Sequence, residues 1–371
     1  MTDDTVPARE SAVTKTGIPV RNLWHMLLYH WNAFQYINQW NSDVDDAPTL
    51  DTLLATVLAN QIEQRLRIGP ERDYRSHNAE VTGLRGRIIF SESLKRMSFP
   101  RGRTFCQYEH YTVDVPANQI IRSTMVNLIR SGEFGTTLKT ASQLRSRLRR
   151  LVLDLDAASL IELSPGVIRR EQLKRHDRDY SLMLAICYML SRTQMPTELA
   201  DSTTAPQLDR DTLTLYEIYE RFVARFYAHH LNDWTVSAQK RLAWPAEEPN
   251  DYLPTMIPDI VLQHQTTGQL VVIDTKFTSH ILKVGQYDKL RFDRDHLFQI
   301  YAYVKSQEHQ SDNHRSATGL LLYPAVNHRL SESVTIQGHS IGWDIVDLAQ
   351  PWQQIEKDLL AIPAKLFRSP S

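Results

Sequence analysis

Apolar residues first recur at helical spacing in IPVRNLWHMLLYHWNAFQYI (18–37). Leu23, Met26, Leu27 and Trp31 share one face, and Trp24, Leu28 and Tyr29 widen it. The same spacing predicts a helix over LDTLLATVLANQIEQRLRIG, closed by Gly69. Residues 72–114 change period: short alternating runs around Gly83, Gly86 and Gly102 predict a small β-rich module. Helical spacing returns over 117–132, 136–156 and 179–192. The stretch 194–211, TQMPTELADSTTAPQLDRD, has no periodicity and reads as a linker. Beyond it the order is a helix over 212–231, strands at 235–242, 256–264 and 269–276, a helix near 288–307 and a strand at 317–324. One or two further strands and a last helix, PWQQIEKDLLAI, follow. The expectation is an N-terminal α+β region, 1–205, and a C-terminal α/β domain, 206–371, with a mixed sheet flanked by helices. The chain shows no solenoid repeat and no low-complexity tract.

Composition narrows the classes. At 371 residues the chain is long enough for two cores. Its 42 basic and 43 acidic residues nearly cancel, which excludes a globally basic nucleic-acid coat but leaves room for a local basic channel. Cys106 and Cys187 stand far apart without a CxxC, so neither a disulfide framework nor a cysteine zinc site is indicated. The polar start lacks a signal-peptide core, and no apolar run reaches membrane length, so a soluble, cytoplasmic protein is expected.

The chemistry concentrates in two neighbouring runs. VVIDTKF (271–277) is a buried-strand pattern ending in Asp274 and Lys276, two apart and therefore on one face. IPDIVL carries Asp259 ahead of another apolar run, and HQTTGQ between the two is a turn containing Gly268. Antiparallel pairing brings Asp259 and Asp274 to the same sheet end. Two carboxylates and an ammonium there suit Mg²⁺ or Mn²⁺ and a water: the metal neutralises a phosphodiester, and Lys276 orients the water or assists its deprotonation. A surface hairpin ending in Asp and Lys is the competing reading. In QIYAYV, Gln299 and Tyr303 are four apart, on one helix face that can meet this site. YEIYERF offers Glu217 and Glu220 as a further carboxylate, a solvated helix face being the alternative.

This helix–PD–x(14)–DTK–QxxxY order resembles the PD-(D/E)xK nuclease superfamily. IPVRNLWHMLLYHW, GLRGRIIFSESLKR, DVPANQIIRSTM and PDIVL…LVVIDTKF together resemble the McrC family, the nuclease subunits of McrBC-type modification-dependent restriction systems, from about residue 18 to the end. Carried over by position, Asp259, Asp274 and Lys276 match the catalytic acid, acid and lysine, Asp replacing the more usual Glu at 274. Gln299 and Tyr303 join the catalytic set; Asp259, Asp274, Thr275 and Glu220 form the expected metal set, with Glu220 matching the helix acid only loosely. The resemblance implies cleavage of double-stranded DNA together with a hexameric AAA+ GTPase of McrB type, whose GTP hydrolysis the subunit stimulates. It assigns the N-terminal half to that contact, with the β-rich module entering the ring's pore.

The chain has no GxxxxGK[ST] segment, so the motor is another chain. No HExxH or paired zinc spacing occurs among the histidines, and Gly-x-Ser-x-Gly is absent. LRSRLRR (144–150) offers arginines to a DNA backbone or a motor-facing surface, and Arg85 and Arg87 flank Gly86 in a candidate partner loop. Two other functions stay in view: a scaffold that activates an AAA+ GTPase with a dispensable nuclease site, and a stand-alone DNA repair nuclease. The intact Asp259–Asp274–Lys276 set opposes the first, and the long N-terminal half opposes the second.

Overall fold

The computed structural model describes residues 14, 16–40, 43–44, 47–132, 134, 138–172, 177–194, 207–248, 250–277, 282–284 and 290–366. Backbone proximity divides the chain into two compact units, one drawing on Met1–Leu50 and Leu199–Ser371, the other on Asp51–Glu198. This redraws the cut expected at residue 205. The helix α1 (Val20–His30) belongs with the C-terminal residues.

The Asp51–Glu198 unit is helical around one small sheet. Its helices are α2 (Leu50–Ile68), α3 (Phe90–Lys95), α4 (Pro116–Ser131), α5 (Leu138–Asp154), α6 (Pro165–Gln172) and α7 (Arg178–Gln194). Strands β1 (Asp73–Thr82) and β3 (Arg103–Thr112) pair antiparallel along their full length, and β2 (Arg87–Ile88) adds to the other edge of β3. Gly86 makes this approach possible. Its φ is +70°, and a Cβ there would sit 2.4 Å from the Gln107 carbonyl oxygen. Two arginines of LRSRLRR turn out to hold the unit together. Arg147 binds both carboxylate oxygens of Glu63 at 2.7 Å, and Arg145 donates to the Gly132 carbonyl at 2.7 Å.

In the other unit the linker expected at 194–211 lies outside the described residues between 195 and 206, and helix α8 (Gln207–His230) already runs from Gln207. The strands are β4 (Trp234–Ala238), β5 (Ile260–His264), β6 (Leu270–Thr275), β7 (Leu282–Val284), β8 (Leu290–Phe292), β9 (Thr318–Ala325), β10 (Ser331–Ile336) and β11 (His339–Asp347). Helices α9 (Arg294–Lys305), α10 (Asp312–Arg315) and α11 (Trp352–Leu366) complete it. Six strands form a mixed sheet in the order β10-β11-β9-β6-β5-β4, parallel across β6, β9 and β11 and antiparallel elsewhere. β7 and β8 pair separately. The expected α/β architecture with a mixed, helix-flanked sheet is therefore present.

All six residues of β6 are buried, as an interior strand with two covered faces requires. Ile300, Tyr303 and Val304 of α9 pack with Leu321, Tyr323, Ile341 and Trp343 on one face. Gly319 lets the helix come this close, since a Cβ there would lie 2.8 Å from Ile300 Cγ1. α1 is apolar nearly all round: Trp24, Met26, Leu27 and Leu28 are fully buried, which demands cover on several sides. Tyr29 meets Phe222 and Phe226 of α8 and Trp352 of α11 with ring centroids 5.6–6.0 Å apart, and its hydroxyl hydrogen-bonds His230 at 2.8 Å. Asn22 Nδ2 donates to the carbonyls of Leu348 and Gln350, both at 2.8 Å.

Asn22→Leu would strand those two carbonyls inside the protein. The expected cost is about 2–4 kcal/mol of unfolding free energy, read from urea melts; a loss below about 0.5 kcal/mol would show that the bonds do not anchor α1.

Candidate active site

The β5–β6 hairpin pairs Ile260 with Ile273, so the next residues outward, Asp259 and Asp274, face each other at one end of the sheet. Both are buried, 8% and 2% exposed, which removes the surface-hairpin reading. Thr275 clamps the first acid: its backbone N–H and its hydroxyl both donate to Asp259 Oδ2, at 2.6 and 2.7 Å. Thr275, expected in the metal set, thus commits its hydroxyl proton to a carboxylate. Asp274 Oδ2 is buried without a well-directed hydrogen bond. The Lys276 ammonium lies 2.5 Å from it as an ion pair, contact without hydrogen-bond geometry.

Lys276 is itself fixed from behind. Its Nζ donates to Gln299 Oε1 at 2.8 Å, Gln299 Nε2 donates to Tyr303 Oη at 2.8 Å, and Tyr303 donates to the Ile257 carbonyl at 3.3 Å. Gln299 and Tyr303 are one turn apart on α9, as their spacing predicts. The α9 cap is Asp293, which accepts from the Asp295 and His296 amides and so sets where the helix starts.

Burial dominates the electrostatics. It pushes the Asp274 carboxyl up to about 6; Lys276 pulls the other way and Asp259 pushes further up. Asp259 is also raised by burial, against the pull of Thr275 and Lys276. On α8, burial and then the nearby Asp259 raise Glu220, and Gln239 Nε2, donating to Glu220 Oε1 at 2.8 Å, opposes this. Glu220 therefore shares the field of both aspartates. Glu217 lies instead beside His30 of α1. Two further residues join the cluster unannounced. Tyr216, one turn before Glu220, lies beside Thr275, and burial with the three carboxylates holds its hydroxyl above the usual phenol range. Gln239 is the other. The same four-residue spacing that singles out Gln299 and Tyr303 applies to Tyr216 and Glu220 and was available to find the tyrosine.

Among the described residues no three of His, Cys, Asp and Glu already close into a metal cage. The donors nonetheless fit a hard divalent cation that keeps several waters: two facing carboxylates, a third within their field, and one buried oxygen whose ammonium neighbour makes no well-directed hydrogen bond to it. No helix among the described residues is long and apolar enough to cross a membrane.

Fold and site together define an α/β protein with a buried acid pair and a tethered lysine at one sheet end. The family model for the McrBC 5-methylcytosine restriction system component matches residues 8–324, and the chain belongs to that family. The type IV methyl-directed restriction enzyme EcoKMcrBC of Escherichia coli (strain K12) is 26% identical over 349 residues, 93% of this chain and 97% of that protein. A chain in the refined half-complex from the tetradecameric assembly of Thermococcus gammatolerans McrB AAA+ hexamers with bound McrC shares the fold. It superposes with a TM-score of 0.54 at 15% identity, over 94% of this chain and 76% of that one.

Because the folded carboxyl of Asp274 titrates near 6 and an unfolded one near 3.8, its burial penalty is absent below pH 3.8 and complete above 6. Without divalent cations, wild-type stability relative to Asp274→Asn should fall by about 2 kcal/mol between pH 4 and 7. Urea melts across that range check it; a flat or rising difference contradicts the assignment.

Proposed function

We propose that the chain is the Mg²⁺-dependent DNA endonuclease subunit of a GTP-dependent, modification-dependent restriction complex, with a site of the PD-(D/E)xK type. The observation that carries this is the Asp259–Asp274 pair, buried face to face with Lys276 against it. Asp259 and Asp274, with Glu220 and Thr275, would hold the cation, Mg²⁺ or Mn²⁺. When bound it would supply positive charge for the phosphodiester and acidity for the attacking water. The chain's own part is positional. Thr275 orients Asp259 through two donated hydrogen bonds and favours its ionised form against the effect of burial. Tyr303 fixes Gln299 and Gln299 fixes Lys276, so the ammonium is held where it can orient water and offset charge on the scissile phosphate.

The division of labour follows the relatives. The solved relative is described with McrB AAA+ hexamers and bound McrC, and the Escherichia coli relative as a methyl-directed restriction enzyme. The corresponding partners here are a hexameric AAA+ GTPase ring of McrB type and double-stranded DNA, met in the cytoplasm. The Asp51–Glu198 unit, with its β1–β3 ribbon, contacts the ring and stimulates GTP turnover; the unit with the mixed sheet cuts. A scaffold with a dispensable site would gain nothing from two buried aspartates, which cost stability unless they bind something.

Asp259→Ala and Asp274→Ala should each abolish cleavage by the reconstituted complex while leaving partner binding intact. Lys276→Ala should slow the chemical step by about 10²–10⁴-fold with little change in DNA affinity. Single-turnover cleavage and DNA-binding titrations measure both; full activity in either aspartate variant removes the proposed site.

A further inference from the structure

We propose that Gln239 is a positioning residue of this site, its backbone holding the residue that carries Asp259 and its side chain holding Glu220 toward the aspartate pair. The inference rests on the reading of that pair as a cation site.

Ala238 pairs with Ile260 as the last rung between β4 and β5, and Gln239 N–H adds one more bond, donating to the Asp259 carbonyl at 2.8 Å. The chain then turns away because Gln239 has φ +48°, in the left-handed region that residues with a Cβ enter at a cost. Glycine or asparagine takes such a position with less strain. Packing does not explain the glutamine, since the residue is exposed. Its reach does. The amide extends to α8 and donates to Glu220 Oε1 at 2.8 Å, so a single residue is bonded both to Asp259 and to the helix acid.

Among the described residues, the other left-handed ones with side chains are Asn32, Met97, Asn327 and Gln337. None of them is bonded to a residue of the acid cluster. At Gln239 the strain coincides with a hydrogen bond to a site residue from both main chain and side chain. The consequence is mechanical. Glu220 and Asp259 lie on separate elements, and Gln239 fixes one relative to the other. Without it, the carboxylate of Glu220 is free to turn to solvent.

The test separates positioning from stability by using two variants that favour the left-handed turn. Gln239→Gly relieves the strain, and Gln239→Asn keeps an amide too short to reach Glu220. In the full-length chain both should bind Mn²⁺ about tenfold more weakly, read from the free-Mn²⁺ paramagnetic resonance signal. Their metal-free melting temperatures should stay level, with Gln239→Gly rising by about 2 °C. Cleavage by the complex should need correspondingly more Mg²⁺ for half-maximal rate. Wild-type Mn²⁺ affinity in both variants, or affinity lost only in step with melting temperature, overturns the proposal. Asp259→Ala is the control for the parent reading: if it too binds Mn²⁺ normally, the cation site itself is wrong. If Asp259→Ala loses binding and the Gln239 variants keep it, only the role of Gln239 falls.

Discussion

The register of one hairpin governs the site. With Ile260 opposite Ile273, Asp259 must oppose Asp274, and Lys276, two residues beyond, must point with Asp274. A slip of one residue would turn every side chain of β6 to the other face and carry Asp274 out of the cluster. The tight turn prevents the slip: Gly268, at φ +71°, donates its N–H to the His264 carbonyl at 2.9 Å and closes the hairpin. Val271 and Ile273 are wholly buried on one face of β6 while Leu270 and Val272 are buried on the other, so an apolar core encloses the strand whose end carries the acids.

Asp259, Lys276 and Glu220 each have a hydrogen-bonding holder of their own. Thr275 holds Asp259, Gln299 holds Lys276, and Gln239 holds Glu220, all at 2.6–2.8 Å. Asp274 is different: its Oδ2 is buried beside an ammonium and takes no well-directed hydrogen bond. Burying like charges raises their protonation and costs stability, and a cation is the natural relief. The most strained part of the electrostatics thus lies at Asp274, where the proposed cation would bind.

Local pattern made the clustering of Asp259, Asp274 and Lys276 legible and left long-range packing hidden. The apolar runs around Asp259 and Asp274, with the Gly268 turn between, specify strand, pairing and face without tertiary information. Gln299 and Tyr303 follow from four-residue helical spacing. α1 gives no such clue to its partners: its apolar face says that it is buried, not that Phe222, Phe226 and Trp352 bury it. That is why the domain boundary fell elsewhere. Gln239 is hidden for another reason. Its role depends on a backbone angle, and the same angle ends β4 at Ala238, short of the strand expected to reach 242. Likewise the arginines of LRSRLRR cannot reveal from spacing alone that Glu63 awaits Arg147.

The central claim is that the Asp259–Asp274 pair holds a divalent cation. An anomalous difference map from crystals of the chain soaked in Mn²⁺ tests it directly. The predicted result is a peak in contact with both carboxylates, with Lys276 still tethered to Gln299. No peak there at a Mn²⁺ concentration that supports cleavage by the complex, or a peak bound elsewhere by other oxygens, would contradict it.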